Sequence, residues 1–238
     1  MNNTKNIKIF IGITYILIIF IFLWFFFKNF SIQDFTSYEF IKNNLDEFNE
    51  IKNKNILIIS LLFLVFTIIW VLLLGFGTPI FLFGGFIFGK WLGTFLVVLG
   101  LSTGATLLYI FANFYLKDFI REKFSKRFNF LNEKFKKNEF IFFLIYRFVG
   151  GIPFFISNIL PTLFNVRIKV FFFGSIIGML PQLFVGTSLG NGIGILIKNN
   201  KELPSILEII LIPDIYIPII GFIILLLAGF YFKKFFFK

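Results

Sequence analysis

Residues 55–116 read NILIISLLFLVFTIIWVLLLGFGTPIFLFGGFIFGKWLGTFLVVLGLSTGATLLYIFANFYL and carry a single charge, Lys90. About 20 apolar residues suffice to cross a bilayer as a helix, and this block is 62 residues long. It is interrupted by Gly75, Gly77, Pro79, Gly84, Gly85 and Gly89. In a helix interior glycine costs about 1 kcal/mol and proline about 3 kcal/mol relative to alanine. Six such residues so close together argue against one unbroken helix. Backbone that breaks at membrane depth must be buried in protein or line a wet cavity, because lipid satisfies neither N–H nor C=O. The expected plan is a span over about 55–75, a re-entrant hairpin over 76–91 and a second span over 92–116.

Outward from this block the same character persists. Further uncharged runs cover Ile9–Phe27, Phe148–Val166, Val170–Ile197 and Ile215–Phe232. The chain is 58% hydrophobic and 15% charged, with a mean hydropathy of +0.91. Soluble domains carry about 25% charged residues. A chain of 238 residues cannot bury nearly every face of every element, so the expected class is an all-α integral membrane protein. About five transmembrane helices and two opposed re-entrant broken-helix hairpins are expected.

The net charge of +11 comes from residues at the ends of apolar runs and in one central loop. There is no basic face interleaved with aromatics on a polar domain, so nucleic acid is not an expected partner. The charges read as topology determinants and contacts to anionic headgroups. The 42 Phe fit the codon drift of an AT-rich genome. The chain has no Cys and no His, which excludes disulfides, thiolate or imidazole metal sites, and schemes needing a His base or Cys nucleophile. With only twelve acids, mostly in loops, no enzyme, metal or cofactor is expected.

Lys5 and Lys8 precede the first apolar run without a small-residue cleavage site after it, so 1–54 reads as an uncleaved span followed by a surface segment. In that segment Phe35, Tyr38, Ile41, Leu45 and Phe48 recur at helical spacing, the pattern of an amphipathic helix. An ordinary connector helix has the same pattern. Residues 55–200 form the core unit, and 201–238 hold a last span, roughly Leu207–Phe232, with a basic tail. The loop Lys117–Glu139 carries eight Lys/Arg against four acids, as expected of a cytoplasmic segment. Beyond it lies a second broken stretch, 140–163, with Gly150, Gly151, Pro153 and Pro161. Then comes a span containing Gly174, Gly178 and Pro181.

An offset of 74 residues places Pro79 on Pro153, Gly100 on Gly174 and Gly104 on Gly178. Each half thus has a broken hairpin followed by a span with a G-x-x-x-G face, which lets helices approach closely. If each unit crosses once, the second is inverted, an arrangement found in secondary transporters. Five spans with the central loop inside put the amino terminus outside, against the weaker pull of Lys5 and Lys8.

The stretch Arg147–Gly190 resembles the DedA, or VTT-domain (SNARE-associated Golgi protein), superfamily. The residues carrying the likeness are Arg147, Pro153, Asn158, Gly174, Gly178, Pro181 and Gly190. The upstream stretch from Phe76 is similar to the same family's first hairpin and span, so the likeness covers roughly 70–200. The amino-terminal span and surface segment resemble bacterial relatives of the yeast Tvp-type proteins. The resemblance implies two re-entrant loops facing each other and movement of lipids, phospholipid or polyprenyl phosphate, between leaflets. Gly150 stands where relatives have a first proline, Thr162 where a glycine is frequent, and Asn113 where many have an arginine. The first hairpin has no acid, which argues against proton coupling.

Arg147 is the sharpest site candidate. An arginine at the centre of a membrane helix costs about 2.5–3.5 kcal/mol on insertion scales, and its guanidinium suits bidentate capture of a phosphate. An interfacial anchor is the alternative. Lys90, beside Trp91, is a second headgroup candidate or an anchor, and Asn158 binds a headgroup or caps a half-helix. Pro79, Gly84, Gly85, Gly150, Gly151 and Pro153 are assigned to hairpin backbone. Gly100, Gly104, Gly174, Gly178 and Pro181 are assigned to helix packing. Asp214, flanked by Pro213 and Pro218, is expected near the outer interface. The leading functional reading is a lipid transporter of the plasma membrane (the bacterial inner membrane), multi-pass, with membrane lipids as partners and self-association left open. The alternatives are a small-solute or ion secondary transporter and a structural membrane-organising protein.

Overall fold

In a computed structural model, residues 2–29, 55–115, 117–118, 122, 138–198 and 210–236 are described. The amphipathic segment Phe35–Phe48 and most of the basic loop fall outside them. Among the described residues every regular element is a helix. These elements are α1 (Asn2–Asn29), α2 (Ile56–Leu72), α3 (Gly77–Tyr115), α4 (Glu139–Val149), α5 (Phe154–Ile159) running into a 3₁₀ turn (Leu160–Leu163), α6 (Ile168–Lys198) and α7 (Pro213–Phe236). Two of these, α3 and α6, are long and apolar enough to cross a membrane.

α3 is not one rod. Gly89 has φ 77° and ψ 175°, a region open essentially to glycine alone, and there the chain folds back on itself. A methyl group built on Gly84 would lie 2.4 Å from Val97 Cγ2, and one on Gly93 would lie 2.4 Å from the Gly84 carbonyl oxygen. In a straight helix residues 84 and 97 would stand about 20 Å apart at 1.5 Å per residue. Segments 77–88 and 90–115 are therefore antiparallel.

The two breaks fall close to the expected bounds, at 73–76 and at Gly89, but the segment between them is one helical arm and not itself a hairpin. Residues 73–76 form the turn, with Leu74 at φ 61° and the Trp70 indole N–H donating to the Phe76 carbonyl at 2.8 Å. The helix then runs straight through Gly84 and Gly85. α2 and the 77–88 arm thus pair across the turn as a helical hairpin, with Phe63 against Gly84 and Phe88. The glycines at 84 and 85 serve contact. Gly85 lies so close to α6 that a Cβ would sit 1.9 Å from the Thr187 carbonyl oxygen. α6 likewise continues through Pro181 and the polar residues after Gly190 to Lys198.

The second half repeats this plan. α4 leads to a turn at Gly150 (φ 64°) and Gly151 (φ 79°), then α5 and the 3₁₀ turn lead back, and α6 is the long helix. In both halves the G-x-x-x-G face of the long helix receives the first arm of its own hairpin in parallel. Gly100 and Gly104 meet Thr67 and Val71; Gly174 and Gly178 meet Phe143 and Arg147. The two long helices cross in opposite senses. The Thr94 and Thr187 hydroxyls are 2.5 Å apart, while the rings of Tyr109 and Phe171 stack with centroids 4.4 Å apart. The halves therefore run in opposite directions, and their hairpin turns point toward each other.

The buried core lies along this seam and includes Val71, Val97, Leu101, Tyr109, Phe143 and Phe171. The outer faces are apolar too: Leu57 is 83% exposed, and Leu61, Trp91, Phe95 and Ile224 are also exposed. That inside-and-outside apolarity suits a hydrocarbon solvent.

Candidate functional site

Between the two opposed turns lies a cavity of 330 Å³, lined from the first half by Gly77, Thr78, Phe81 and Leu101. The second half contributes Tyr146, Arg147, the turn Gly150–Ile152, Phe154 and Ser157 from its hairpin, with Met179, Gln182 and Leu183 from α6. Gly77 and Thr78 open the return arm of the first hairpin. The first-turn N–H groups of such a helix have no intrahelical acceptors.

Arg147 sits in the last turn of α4 and is 3% exposed. Its Nε donates to Ser175 Oγ at 3.0 Å and its Nη1 to Ser157 Oγ at 3.0 Å. Nη2 is buried and has no acceptor. The rings of Phe171, Phe143 and Tyr146 stand 4.8, 5.2 and 6.0 Å from Cζ. Among the described residues no carboxylate pairs with it; Arg167, at the far end of the second hairpin, pairs with Glu139 at 2.6 Å. A buried ion without an opposite charge carries a desolvation penalty of several kcal/mol. Two hydroxyls and three aromatic faces offset part of it and leave the charge itself uncompensated.

The backbone around Arg147 is held as well. Gln182 Nε2 donates to the Arg147 carbonyl at 3.2 Å, and the Tyr146 hydroxyl donates to the Ser157 carbonyl at 3.0 Å. A bidentate grip on phosphate through both terminal nitrogens therefore competes with a bond already made to Ser157.

Comparison with known proteins was decisive for the family: residues 76–192 match the model of the VTT domain. Those residues form a VTT domain. The chain is also 32% identical over 108 residues to the uncharacterized protein YqeD of Bacillus subtilis. That match covers 44% of this chain and 52% of the relative, so the likeness spans about half the length of each. No solved structure matches.

Every residue lining the cavity falls inside the VTT domain, whereas α1, α2 and α7 lie outside it. α1 reaches the first turn: the Tyr15 hydroxyl donates to the Leu72 carbonyl, and its ring packs against Phe111 at 4.4 Å. On the other side Phe148 of α4 meets Phe222 of α7 at 5.8 Å.

Of the residues singled out in the sequence, Arg147, Gly150 and Gly151 line the VTT domain's cavity. Pro153 caps α5 just beyond the turn, and Pro79 is the third residue of α3. Lys90 is elsewhere, beyond the Gly89 break at the far end of the return arm, where its carbonyl accepts from the Thr94 hydroxyl. Asn158 is fully buried in α5, does not line the cavity, and neither of its amide atoms has a partner. Nothing is described of the Asp214 side chain. Ser157, Ser175, Thr78 and Gln182 were not singled out. The available signal was that each is a polar residue stranded in an apolar run.

Proposed function

We propose that this VTT-domain protein is a multi-pass protein of the plasma membrane that moves phosphate-bearing lipid headgroups between leaflets. The observation that carries the reading is the buried Arg147 guanidinium, without a carboxylate partner, beside a cavity where two opposed hairpins meet. An uncompensated cation in that position favours an anionic guest. At about 1.5 Å per residue, the 17-residue α2 is about 25 Å long and the 77–88 arm about 18 Å. A hydrocarbon core is about 30 Å thick, so arms of this length suit hairpins that enter and leave by the same face. Two of them, one from each side, would bring polar backbone to mid-membrane. The work proposed is movement, with no bond made or broken, and the absence of an acid from the cavity's lining favours equilibration over proton-driven pumping.

The test is lipid flip in reconstituted liposomes bearing headgroup-labelled phospholipid, with a membrane-impermeant quencher. Wild type is expected to expose the inner-leaflet label, and Arg147→Ala to leave about half of it protected, as a bilayer without flip does. Protection of half the label by the wild type, with both phospholipid and polyprenyl-phosphate probes, would sink the lipid reading. Uptake of a soluble anion in the same liposomes would then favour a solute carrier on this fold.

A further inference from the structure

Two serines hold Arg147, and they hold it differently. Ser175 is fully buried on α6 and does not reach the cavity. It fixes Nε from behind. Ser157 stands on the cavity wall, on the return side of the second hairpin. Its own proton is committed, because Oγ donates to the Phe154 carbonyl at 2.7 Å. Its lone pairs therefore face Nη1, and the guanidinium meets a neutral acceptor where the cavity would present a guest's oxygen.

We propose that the Ser157 hydroxyl is a stand-in for an anionic oxygen: it holds Arg147 while the cavity is empty and yields when a phosphate enters. The inference rests on the anionic-headgroup reading above. The bond to Ser157 has charge on the donor alone, whereas a phosphate oxygen adds the opposite charge and a planar bidentate fit, so the exchange runs downhill once the anion is desolvated. Nη2, buried beside Nη1 without an acceptor, gains a partner in the same step, and the two terminal nitrogens then grip the phosphate together. The hairpin can give way to allow it. Gly150 and Gly151 form the turn just before α5, and a Cβ built on Gly151 would have nothing within 4 Å. Ser157 is thus a specificity-determining placeholder and Ser175 a positioning residue, and removing each should act on affinity with opposite sign.

The experiment uses the full-length protein in detergent and follows the thermal unfolding midpoint against concentration of two probes. One is inorganic phosphate, the other dihexanoyl phosphatidic acid. Ser157→Ala is expected to bind the responding probe about tenfold more tightly than wild type, and Ser175→Ala about tenfold more weakly, the scale of one hydrogen bond to a charged group. Ser157→Thr, which keeps the hydroxyl, should behave as wild type. A lowered starting midpoint does not obscure the result, since the readout is the half-effect concentration. If Ser157→Ala is not recovered folded, Ser157→Cys, a poorer acceptor of similar shape, should shift affinity the same way by a smaller factor. A response to both probes supports recognition of the phosphate itself, and a response to the lipid alone supports recognition of phosphate together with its acyl chains. Weaker or unchanged affinity in Ser157→Ala, or in Ser157→Cys where it stands in for it, overturns the placeholder and leaves the headgroup reading standing. A wild type indifferent to both probes overturns the two together.

Discussion

Where the first hairpin's return arm lies on α6, there is no room for a methyl group: Gly85 abuts the Thr187 carbonyl, and a Cβ on Gly190 would lie 2.1 Å from the Leu82 carbonyl oxygen. Where the second hairpin turns, the same construction at Gly151 meets nothing within 4 Å. The first turn is closed by the Trp70 indole and capped by Tyr15 from α1. The second is held through Arg147 and Gln182, and Asn158 and Thr162 on its return side are buried with unpartnered polar atoms. One plan has been executed twice, once as a fixed wall and once with slack at the turn and return side, although α4 itself lies close on Gly178. The charge sits on the slack side: Val71 and Arg147 are the equivalent residues against Gly104 and Gly178. Backbone-to-backbone contact fixes an element because a main chain cannot rotate out of the way, whereas side-chain hydrogen bonds can be exchanged.

The harshest way to break this comparison is Gly85→Leu. With a backbone carbonyl 1.9 Å from the first added atom, the return arm cannot stay on α6. Loss of the monodisperse peak on size-exclusion chromatography is expected. A folded, active Gly85→Leu protein would mean the first hairpin is not fixed by this contact. The corresponding change on the other side, Gly151→Ala, has space and faces only the penalty of a left-handed backbone, about 1–2 kcal/mol. A midpoint lowered by a few degrees with folding retained is the expected outcome, and misfolding as severe as that of Gly85→Leu would erase the distinction. The smallest effect is expected at Glu139→Gln. Its carboxylate receives the Arg167 backbone N–H at 2.5 Å and Nε at 2.6 Å, but the Arg167 side chain is 76% exposed. Exposed pairs are worth about 0–1 kcal/mol, so stability should scarcely move. A large loss would show that the base of the second hairpin is clamped more firmly than its turn.

Much of this was legible in the sequence. The uncharged runs announce the solvent, the two G-x-x-x-G faces pair with the arms of their own halves, and Arg147 stands out because nothing balances it. The second break was placed correctly because Gly150, Gly151 and Pro153 cluster within four residues. The bounds of the first also fell close to 73–76 and Gly89, but Gly84 and Gly85 between them were read as breakers, and the reason is physical. Glycine serves both as a breaker and as a site of close approach, and Gly84 and Gly85 owe their identity to Val97 and to Thr187. The latter is about a hundred residues further along the chain. The offset of 74 residues aligns the glycine faces, yet Thr67 and Val71 correspond to Phe143 and Arg147 at an offset of 76. The second return arm is shorter and ends in a 3₁₀ turn, which accounts for the slippage between Pro79, inside its helix, and Pro153, before its own. Ser157 and Ser175 were invisible for a different reason: hydroxyls in membrane helices commonly bond their own backbone, and only the fold shows which ones turn toward a cation.

The lone positive charge among the cavity's lining residues has a consequence for the cell's energy supply. A polar recess halfway through a membrane invites protons and potassium ions to follow the electric field across it. A fixed cation in a medium of low dielectric repels both, as arginines and helix dipoles do in pores that must exclude protons. The residue proposed to attract a phosphate would thereby also insulate, letting a wet passage exist without draining the membrane potential.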